Sequence, residues 1–371
     1  MYFKISKKTI SEQISIVSKA LSLTSPLPVL HNVKLLAKEN YLQLTASDSD
    51  ISIQSTVYEN EENGLQIIRE GSILLDGRYL NDMVRKIDVD QMELEVVDGT
   101  YTNIRGMAVN FELNGIKAEN YPLIDFNKPE TSFVLKADDF KKIINQTCFA
   151  CSDKETRPVL TGLNLNCNDN ELTCVATDSY RLAEKKVYLD ESCNFNITVP
   201  AKNLLDIVKI VTGENDIEIS LNDKKVMFVI DNVVVQTRLI DGLYPETSRL
   251  IPTEFTYELV VDARDILNAL DRASFIKNEG VCIIKMDMNE NEINFTSRSS
   301  EIVSSEKVLP VSYTGEPLSI SYKCNYVYDA IRALNAMQVK IQFCGNMKPF
   351  ILRNTEDDGI MQLVLPIKTY A

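Results

Sequence analysis

In the stretch 158-PVLTGLNLNCNDNELTCVATDSYRL-182, Pro-Val-Leu leads into an alternating strand, an Asn-rich turn, a second strand and an Ala-Thr-Asp-Ser run. The stretch 28-PVLHNVKLLAKENYLQLTASDSDI-51 has the same features in the same order, displaced by 130 residues throughout. A weaker third copy is 280-GVCIIKMDMNENEINFTSRSSEIV-303, in which the strand, the Asn/Glu turn and the strand recur. A pattern repeated at this spacing predicts three tandem copies of one structural unit.

An amphipathic helix follows a short strand in each copy. The three segments are 76-DGRYLNDMVRKI-87, 200-PAKNLLDIVKIV-211 and 323-KCNYVYDAIRAL-334. We expect the apolar stripe to consist of Leu80, Met83, Val84 and Ile87 in the first, and of Leu204, Leu205, Val208 and Val211 in the second. An acid and a base three residues apart recur at one helical position: Asp82 and Arg85, Asp206 and Lys209, Asp329 and Arg332.

Two interpretations of this recurring pair remain open from spacing alone. The pair is either an i,i+3 ion pair on a solvated helix face, which contributes a few tenths of a kcal/mol, or part of a positive line with a binding role. Arg78 and Lys202 favour the second interpretation, because they precede Arg85 and Lys209 by seven residues and share their helix face.

Another helix opens each copy. Its apolar stripe is Ile10, Ile14, Val17 and Leu21 in the first copy, Phe140, Ile143, Ile144, Thr147, Cys148 and Cys151 in the second, and Ile266, Leu270 and Ala273 in the third. The polar faces of these helices carry Lys19, then Lys141 and Lys142, then Arg264 and Arg272.

The repeats predict an α+β fold made of three tandem domains, each with two helices and an antiparallel sheet. The first two repeats end in Tyr121-Pro122 and Tyr244-Pro245, close to the polar, proline-bearing stretches 125-DFNKPET-131 and 251-IPTEFT-256. We therefore place the domains at residues 1–127, 128–252 and 253–371.

Composition excludes several classes of function. With 371 residues, 44% hydrophobic, the chain has the apolar content of an ordinary globular protein, and it contains no apolar run of the ~18 residues that a membrane span needs. A net charge of -14 argues against a protein that coats nucleic acid with a uniformly basic surface, although it leaves room for a basic face. The single histidine, His31, leaves no histidine-based catalytic centre.

The cysteines and the Asn-rich turns also have simple interpretations. We expect the eight cysteines to be reduced thiols in a cytoplasmic protein, and the Cys148/Cys151 pair to be core residues without a redox or metal role. The turn DMNENE lacks the glycine and the final glutamate of a calcium loop, so it is expected to be a hairpin turn. No cofactor and no metal is predicted.

The cluster Asp178, Ser179, Tyr180 and Arg181 invites a catalytic interpretation. Against it, the first copy keeps Asp48 and Ser49 but then continues differently, and no phosphate loop or metal cluster completes a mechanism. An enzyme and a protein scaffold that binds no DNA are the alternatives to the function that follows.

The order of PVL, ATDSYRLA, DGLYP and the final LVLPIK, within three repeats of like size, resembles the bacterial DNA sliding clamp, the β subunit of DNA polymerase III. The resemblance spans essentially the whole chain. It implies a non-catalytic, head-to-tail homodimer closed into a ring around duplex DNA, with helices lining the hole. The resemblance also implies that the ring tethers the replicative polymerase, that a clamp loader loads it onto DNA, and that it acts in the cytoplasm at the nucleoid.

The resemblance assigns roles to three sets of residues. Facing DNA without sequence specificity would be Lys19, Arg78, Arg85, Lys141, Lys142, Lys202, Lys209, Arg264, Arg272 and Arg332. Closing the ring would be Phe111 and Leu113 of one chain against Phe275 and Ile276 of the other, although all four could also be ordinary core residues. A pocket for a peptide with a glutamine, leucines and an aromatic would comprise Leu160, Thr177, Ser179, Tyr180, Arg181, Leu182, Pro245, Arg249, Leu250, Tyr326, Pro349, Leu363, Leu365, Pro366, Ile367 and Lys368.

The sequence also departs from the family pattern. Ser179-Tyr180 stands where many relatives have Gly-His, and Thr369, Tyr370 and Ala371 extend the tail beyond LVLPIK. Thr24, Lys154 and Pro158 stand where some relatives place DNA-contacting side chains. These differences bear on peptide specificity and on loop contacts to DNA.

Overall fold

The computed structural model describes residues 1–22 and 25–368, so that Thr24 and the tail Thr369, Tyr370 and Ala371 lie outside the described residues. The described part contains the α-helices α1 (Lys7–Val17), α2 (Gly77–Lys86), α3 (Ala137–Thr147), α4 (Ala201–Val208), α5 (Ala263–Ala273) and α6 (Cys324–Leu334). None of these helices is long and apolar enough to cross a membrane.

The strands follow the repeats. The first nine are β1 (Tyr2–Ser6), β2 (Asn32–Lys38), β3 (Tyr41–Ser47), β4 (Ile51–Tyr58), β5 (Gln66–Arg69), β6 (Gly71–Asp76), β7 (Gln91–Asp98), β8 (Tyr101–Gly106) and β9 (Val109–Asn114). Next come β10 (Thr131–Leu135), β11 (Gly162–Asn168), β12 (Glu171–Thr177), β13 (Arg181–Tyr188), β14 (Phe195–Pro200), β15 (Ile217–Leu221), β16 (Lys225–Ile230) and β17 (Val233–Arg238). The last are β18 (Tyr257–Asp262), β19 (Ile283–Met288), β20 (Ile293–Arg298), β21 (Val303–Val308), β22 (Ser312–Thr314), β23 (Leu318–Lys323), β24 (Gln338–Phe343), β25 (Phe350–Asn354) and β26 (Ile360–Val364).

The chain forms two compact units. The first contains Met1–Ala137 and Asp206–Leu239, and the second contains Asp138–Leu205 and Ile240–Ala371. In the first unit, the strands form sheets of order β10-β15-β16-β17-β4-β3-β2-β6 and β5-β1-β7-β8-β9. In the second unit, the orders are β14-β11-β12-β13-β26-β25-β24-β18-β22 and β21-β20-β19-β23.

The Asn-rich segments are hairpin turns, as the repeat pattern predicts. β2 and β3 pair antiparallel with Lys38 opposite Tyr41, and β11 and β12 pair with Asn168 opposite Glu171. Within the two-residue connections, Glu39 and Asp169 have φ values of 36° and 60°, the left-handed backbone that reverses a tight hairpin. The described residues contain no group of three or more potential metal-binding side chains.

The Asp-Ser runs are a second kind of hairpin turn. Oδ1 of Asp48 accepts hydrogen bonds from the backbone nitrogens of Asp50 and Ile51, both at 2.9 Å. Asp178 does the same for Tyr180 and Arg181, at 2.8 and 3.0 Å. The serine after each aspartate has a positive φ, 87° in the first turn and 78° in the second. The recurring aspartate is therefore occupied in bending its own backbone.

The third copy makes the same turn with a serine. Oγ of Ser299 accepts from the backbone nitrogens of Glu301 and Ile302 at 3.3 and 3.1 Å. This match fixes the structural alignment of the repeats, because Ile302 takes the place of Arg181, and Val303 that of Leu182. The turn residues are consequently a property of the fold and not a sign of catalysis.

The Tyr-Pro segments pack beneath these turns. Tyr121 is buried beside Leu30 and Leu74, and its phenol faces the backbone of Ser47. Tyr244 takes the same place in the second copy, against the backbone of Thr177. Burial raises the pKa of both phenols above the usual value. Both rings therefore stay neutral and act as apolar supports for the strand ends.

Most of the predicted helix stripes are buried. Ile10, Ile14 and Val17 of α1, Leu80 and Val84 of α2, and Ile266, Leu270 and Ala273 of α5 belong to the core. The stripe predicted for the second copy is wrong at Leu205, whose side chain is 39% exposed, and at Val208, which is half-buried. Ile207 and Ile210 are buried instead. Within α4 the buried face runs through Leu204 and Ile207, which places Leu205 and Val208 toward solvent.

The cysteine stripe is also shorter than predicted. α3 ends at Thr147, and a 3-10 turn carries Cys148 to Ala150. Cys148 is buried, whereas Cys151 is half-buried, and both are free thiols. Burial raises the pKa of Cys148, and that of Cys151 to about 12, so both thiols remain protonated and unreactive at neutral pH.

Removing the turn acceptor tests this account of the repeat. We expect Asp48→Ala to lower the free energy of unfolding by about 1–3 kcal/mol, because two backbone N–H groups lose a charged acceptor. Asp50→Ala is the matched control, since that side chain is exposed two residues away, and its effect should stay within about 0.5 kcal/mol. Equal losses for the two variants in urea unfolding would contradict the role of Asp48.

Candidate functional site

The second unit holds Arg181 between two acids and two aromatic rings. Its Nε lies 3.2 Å from Oδ2 of Asp178, and its NH1 donates to Oδ2 of Asp329 at 2.8 Å. The guanidinium also stacks over Phe149 at 5.2 Å and Tyr326 at 4.8 Å from the ring centroids. With 13% of its side chain exposed, Arg181 joins β13 to α6 and is not a free ligand-binding cation.

A lysine and two tyrosines form a second cluster beside it. Nζ of Lys323 lies 5.1 Å from the ring centroid of Tyr180 and 4.9 Å from that of Tyr326. The ammonium also donates to the Tyr326 hydroxyl at 3.4 Å. Tyr180 itself is 57% exposed, so its ring forms an accessible wall on the surface.

The strand junction between β13 and β26 supplies the apolar floor. Leu182 is directly opposite Leu363, and both are buried in a cluster with Val175, Ile351 and Met361. Beyond β26, the backbone nitrogen of Leu365 donates to the Tyr180 carbonyl at 3.0 Å. The tail is held once more where the nitrogen of Ile367 donates to the Ser321 carbonyl at 2.7 Å.

The remaining residues of the predicted peptide pocket differ in accessibility. Leu160 and Thr177 are buried, and Oγ1 of Thr177 donates to the Arg181 carbonyl at 2.6 Å. Accessible positions are Ser179, Pro245, Arg249, Leu250 and Lys368, while Tyr326, Pro349, Leu365, Pro366 and Ile367 are half-buried. The buried members can only shape the site, so direct contact with a peptide falls to the accessible and half-buried ones.

Sequence reasoning missed two contributors, Phe149 and Lys323. Phe149 lies in the 3-10 turn after α3, outside the predicted apolar stripe. An aromatic residue at a position that does not face the core was the one sign that could have marked it as part of the site. Lys323 ends β23 immediately before α6, where nothing in the repeat pattern sets it apart. Phe149 contacts Arg181, and Lys323 contacts Tyr180, over long distances along the chain, whereas Lys323 and Tyr326 are three residues apart.

The basic residues predicted to face DNA lie on or next to the helices, and most are exposed. Accessible ones are Arg78, Arg85, Lys142, Lys202, Lys209, Arg264, Arg272 and Arg332, whereas Lys19 and Lys141 are half-buried. Lys141, Lys142 and Arg332 line one cavity of about 600 Å³ in the second unit. Lys19 and Lys209 line another, of about 740 Å³, in the first unit.

The recurring acid/base pair does not behave uniformly. Asp206 contacts Lys209 at 2.8 Å, the i,i+3 ion pair that the helix spacing allows. Asp329 contacts Arg181 instead of Arg332. Among the other basic residues, Arg272 binds Glu306 through two nitrogens, one of them Nε at 2.8 Å. The same sequence pair therefore serves different contacts in different copies.

The four residues predicted for ring closure divide into two groups. Phe111 and Leu113 are half-buried on β9, which is the outer strand of its sheet. Phe275 follows α5 and is 67% exposed. Ile276 is only 2% exposed, so its side chain is already used in the core of the unit.

Comparison with known proteins gives a consistent result. Family models for the DNA polymerase III beta subunit match residues 1–125 (N-terminal domain), 134–246 (central domain) and 248–368 (C-terminal domain). The beta sliding clamps of Bacillus subtilis and Staphylococcus epidermidis are 36% and 38% identical over 378 and 376 aligned residues, which cover 100% of each chain.

Solved structures agree. The DNA polymerase sliding clamp of Bacillus subtilis superposes with a TM-score of 0.95 at 36% identity over 100% of both chains. The DNA polymerase III beta chain of Streptococcus pneumoniae gives 0.94 at 29% identity, covering 99% of this chain and 100% of the other.

Three tandem beta-clamp domains of mixed helix and sheet thus make up the chain. The chain belongs to the family of the DNA polymerase III beta subunit, and its function is that of a DNA sliding clamp in DNA replication.

A double-mutant cycle tests the structural role of Arg181. We expect Arg181→Met and Asp329→Asn to be coupled by about 1 kcal/mol or more in the free energy of unfolding, because the Arg181 side chain is largely buried. The cycle Lys209→Met with Asp206→Asn is the control, and this pair, whose lysine is 62% exposed, should give less than about 0.5 kcal/mol. Coupling as small as the control would place Arg181 among the freely solvated cations.

Proposed function

We propose that two copies of this chain close head to tail into a ring that encircles duplex DNA. The supporting observation is the way strands join successive repeats. The last strand of the second repeat, β17, pairs with β4 of the first, and the last strand of the third, β26, pairs with β13 of the second. β4, β13 and β21 are equivalent, since each follows its Asp-Ser or Ser turn.

One junction of this type remains open within a single chain. β9, the last strand of the first repeat, and β21, the third-repeat equivalent of β4 and β13, are the outer strands of their sheets among the described residues. Leu182 of β13 is 2% exposed beneath its partner strand, whereas its equivalent Val303 in β21 is 57% exposed. If β9 pairs with β21 of a second copy, and β21 pairs with β9 of that copy, the backbone groups of both edges gain hydrogen-bonding partners.

The side chains at these edges suit such a junction. Phe111 and Leu113 alternate with the polar residues of β9 and so share one face. Phe275, exposed at the end of α5, supplies further apolar surface. We assign these three residues to the interface and give Ile276, which is buried, the role of supporting Phe275.

The ten basic residues on the helices contact DNA in this proposal. Contacts to phosphates are independent of sequence and weaken with salt, so each is individually weak enough for sliding. The ion pairs of Lys209 with Asp206 and of Arg272 with Glu306 moderate that attraction further. Retention on DNA then depends on ring closure more than on affinity.

The surface around Tyr180, Leu250 and the tail after Val364 docks partner peptides. Partly buried apolar side chains, among them Tyr244 and Leu365, pack against the buried Leu182 and Leu363, and Lys323 and Arg249 supply positive charge at the margin. The replicative polymerase, the clamp loader and other proteins with the glutamine-leucine-aromatic motif are the partners. The chain contributes no catalytic group of its own and acts in the cytoplasm at the nucleoid.

The domain boundaries follow from the same repeat. We place them at residues 1–127, 128–252 and 253–371, with two of the six described helices in each domain. The two compact units cut across the middle domain because β17 joins the sheet of the first repeat, while β13 joins that of the third.

Linearisation of the DNA tests the ring. The protein is diluted and reconcentrated with nicked circular duplex, so that rings reopen and close around it, and complexes are isolated by gel filtration in moderate salt. We expect most bound protein to leave when a restriction enzyme cuts the circle. Binding that falls with salt but is indifferent to ends would instead support simple adsorption.

The edge variant Phe111→Asp is the companion to this experiment. A buried charge disfavours closure by several kcal/mol, so the molar mass should fall to that of one 41.9 kDa chain and retention on the circle should vanish. Leu123→Asp is the matched control, because Leu123 is fully exposed away from β9 and β21. An unchanged molar mass for Phe111→Asp would overturn the proposed interface.

Deletion of residues 366–371 tests the peptide site. The cut leaves β26 intact, whereas a cut at Val364 would remove a buried residue paired with Arg181 and Phe350. We expect the Kd for a peptide of the glutamine-leucine-aromatic type to rise at least about tenfold, which is ~1.4 kcal/mol, with the dimer unchanged. Deleting only residues 369–371 is the control. Full affinity after the longer deletion would exclude the tail from the site.

A further inference from the structure

Two cysteines face each other where β19 and β23 end. Ile283 of β19 is opposite Lys323 of β23, and the next pair outward is Cys282 and Cys324. The Cys324 nitrogen donates to the Cys282 carbonyl at 3.0 Å, so the antiparallel ladder continues through this pair. Directly opposite residues have Cα atoms ~4.5–5.5 Å apart, within the range that a disulfide spans.

The thiols border a cavity of about 510 Å³. Its lining includes both cysteines, the lysines Lys277 and Lys323, and Asp271. Cys282 is half-buried, whereas Cys324 is 2% exposed and its Sγ lies 3.3 Å from the Leu270 carbonyl oxygen. A small molecule entering the cavity therefore reaches Cys282 more readily than Cys324.

The surroundings also shift the pKa values of the two thiols in opposite directions. Chiefly because the Cys324 thiol hydrogen-bonds to Cys282, and with help from Ser297 and Lys277, the pKa of Cys282 is lowered to about 7 despite its burial. The same hydrogen bond raises the pKa of Cys324, as do its burial and the charges of Cys282, Asp271 and Asp329. The accessible sulfur is therefore the one that ionises more readily near neutral pH, and the enclosed one keeps its proton. The tyrosines Tyr326 and Tyr328 complete the titratable groups of the lining.

We propose that Cys282 and Cys324 form a site of thiol–disulfide exchange with small soluble disulfides, in which Cys282 attacks and Cys324 resolves. The Cys282 thiolate attacks one sulfur of a disulfide RSSR, giving a mixed disulfide and one thiolate RS⁻. Cys324 gives up its proton to the departing thiolate and attacks the Cys282 sulfur, forming the intrachain disulfide and releasing a second RS⁻, which takes from the solvent the proton that Cys282 lost when it ionised. Two protein thiols lose two electrons, and RSSR is reduced to two RSH.

The chain contains a natural reference pair. The sulfurs of Cys167 and Cys193 are 3.5 Å apart, so these two thiols are also close together. Burial, and then the hydrogen bond with Cys193, raise the pKa of Cys167 to about 12. If proximity alone decided exchange, both pairs would react alike, and the lowered pKa of Cys282 predicts that its pair reacts first at neutral pH.

The first measurement is the alkylation rate of each cysteine in the unmodified chain, followed by peptide mass mapping across pH. At pH 7 we expect Cys282 to react about threefold faster than an unperturbed, equally accessible thiol, since its larger thiolate fraction outweighs its weaker nucleophilicity. Its rate should level off above the midpoint near pH 7. Lys277→Gln should move the midpoint to higher pH. A Cys282 rate that still climbs steeply through pH 9 would overturn the proposal.

The second measurement uses oxidised glutathione at pH 7. We expect the unmodified chain to lose two hydrogens at the Cys282–Cys324 pair before the Cys167–Cys193 pair changes. Cys324→Ser should instead retain a glutathione adduct on Cys282, and Cys324→Ala provides the same test should serine disturb the buried position. Cys193→Ser is the control that leaves the first reaction intact. Oxidation of the Cys167 pair first, or no adduct in either Cys324 variant, would refute the assigned roles.

Discussion

Backbone hydrogen bonds between strands of successive repeats are the interaction on which the other features depend. The pairing of β13 with β26 buries Leu182 against Leu363 and brings the tail to Tyr180. The pairing of β4 with β17 joins segments far apart in the sequence into one eight-stranded sheet. Each junction gives apolar side chains a partner that a single repeat lacks, so that neighbouring repeats complete one another's cores.

Local sequence patterns predicted the parts of the fold that local forces determine. The 130-residue offset predicted the hairpins, and the aspartates at 48 and 178 do bend their own backbone there. Helix stripes were correct at most positions of α1, α2 and α5. They failed at Leu205 and Val208, which lie inside α4 beside the buried Leu204 and Ile207, because spacing does not show which of several neighbouring apolar residues face the core.

Long-range contacts account for what the sequence left open. The recurring Asp and base suggested one role for all three copies, yet Asp329 binds Arg181, 148 residues away, while Asp206 binds its local lysine. No spacing rule distinguishes these outcomes, because the choice depends on which strand lies beside the helix. For the same reason the roles of Phe149 and Lys323 depend on long-range contacts, of Phe149 with Arg181 and of Lys323 with the ring of Tyr180. The family resemblance named a set of pocket positions but could not separate buried supports from accessible side chains.

An unpaired strand edge is a hazard in a soluble protein, because exposed backbone groups can pair with any other chain. β9 limits this hazard by alternating Phe111 and Leu113 with polar residues, one of which is Glu112, and β21 carries Glu306, already bound to Arg272. Such charges oppose random pairing, and in the ring that we propose the apolar residues of β9 would meet Val303 and Phe275. An edge that carries both apolar and charged side chains therefore favours a specific partner strand over a capping element. Two such edges in each chain give a closed ring when the rotation between copies returns to the start after two copies, and an open filament when it does not.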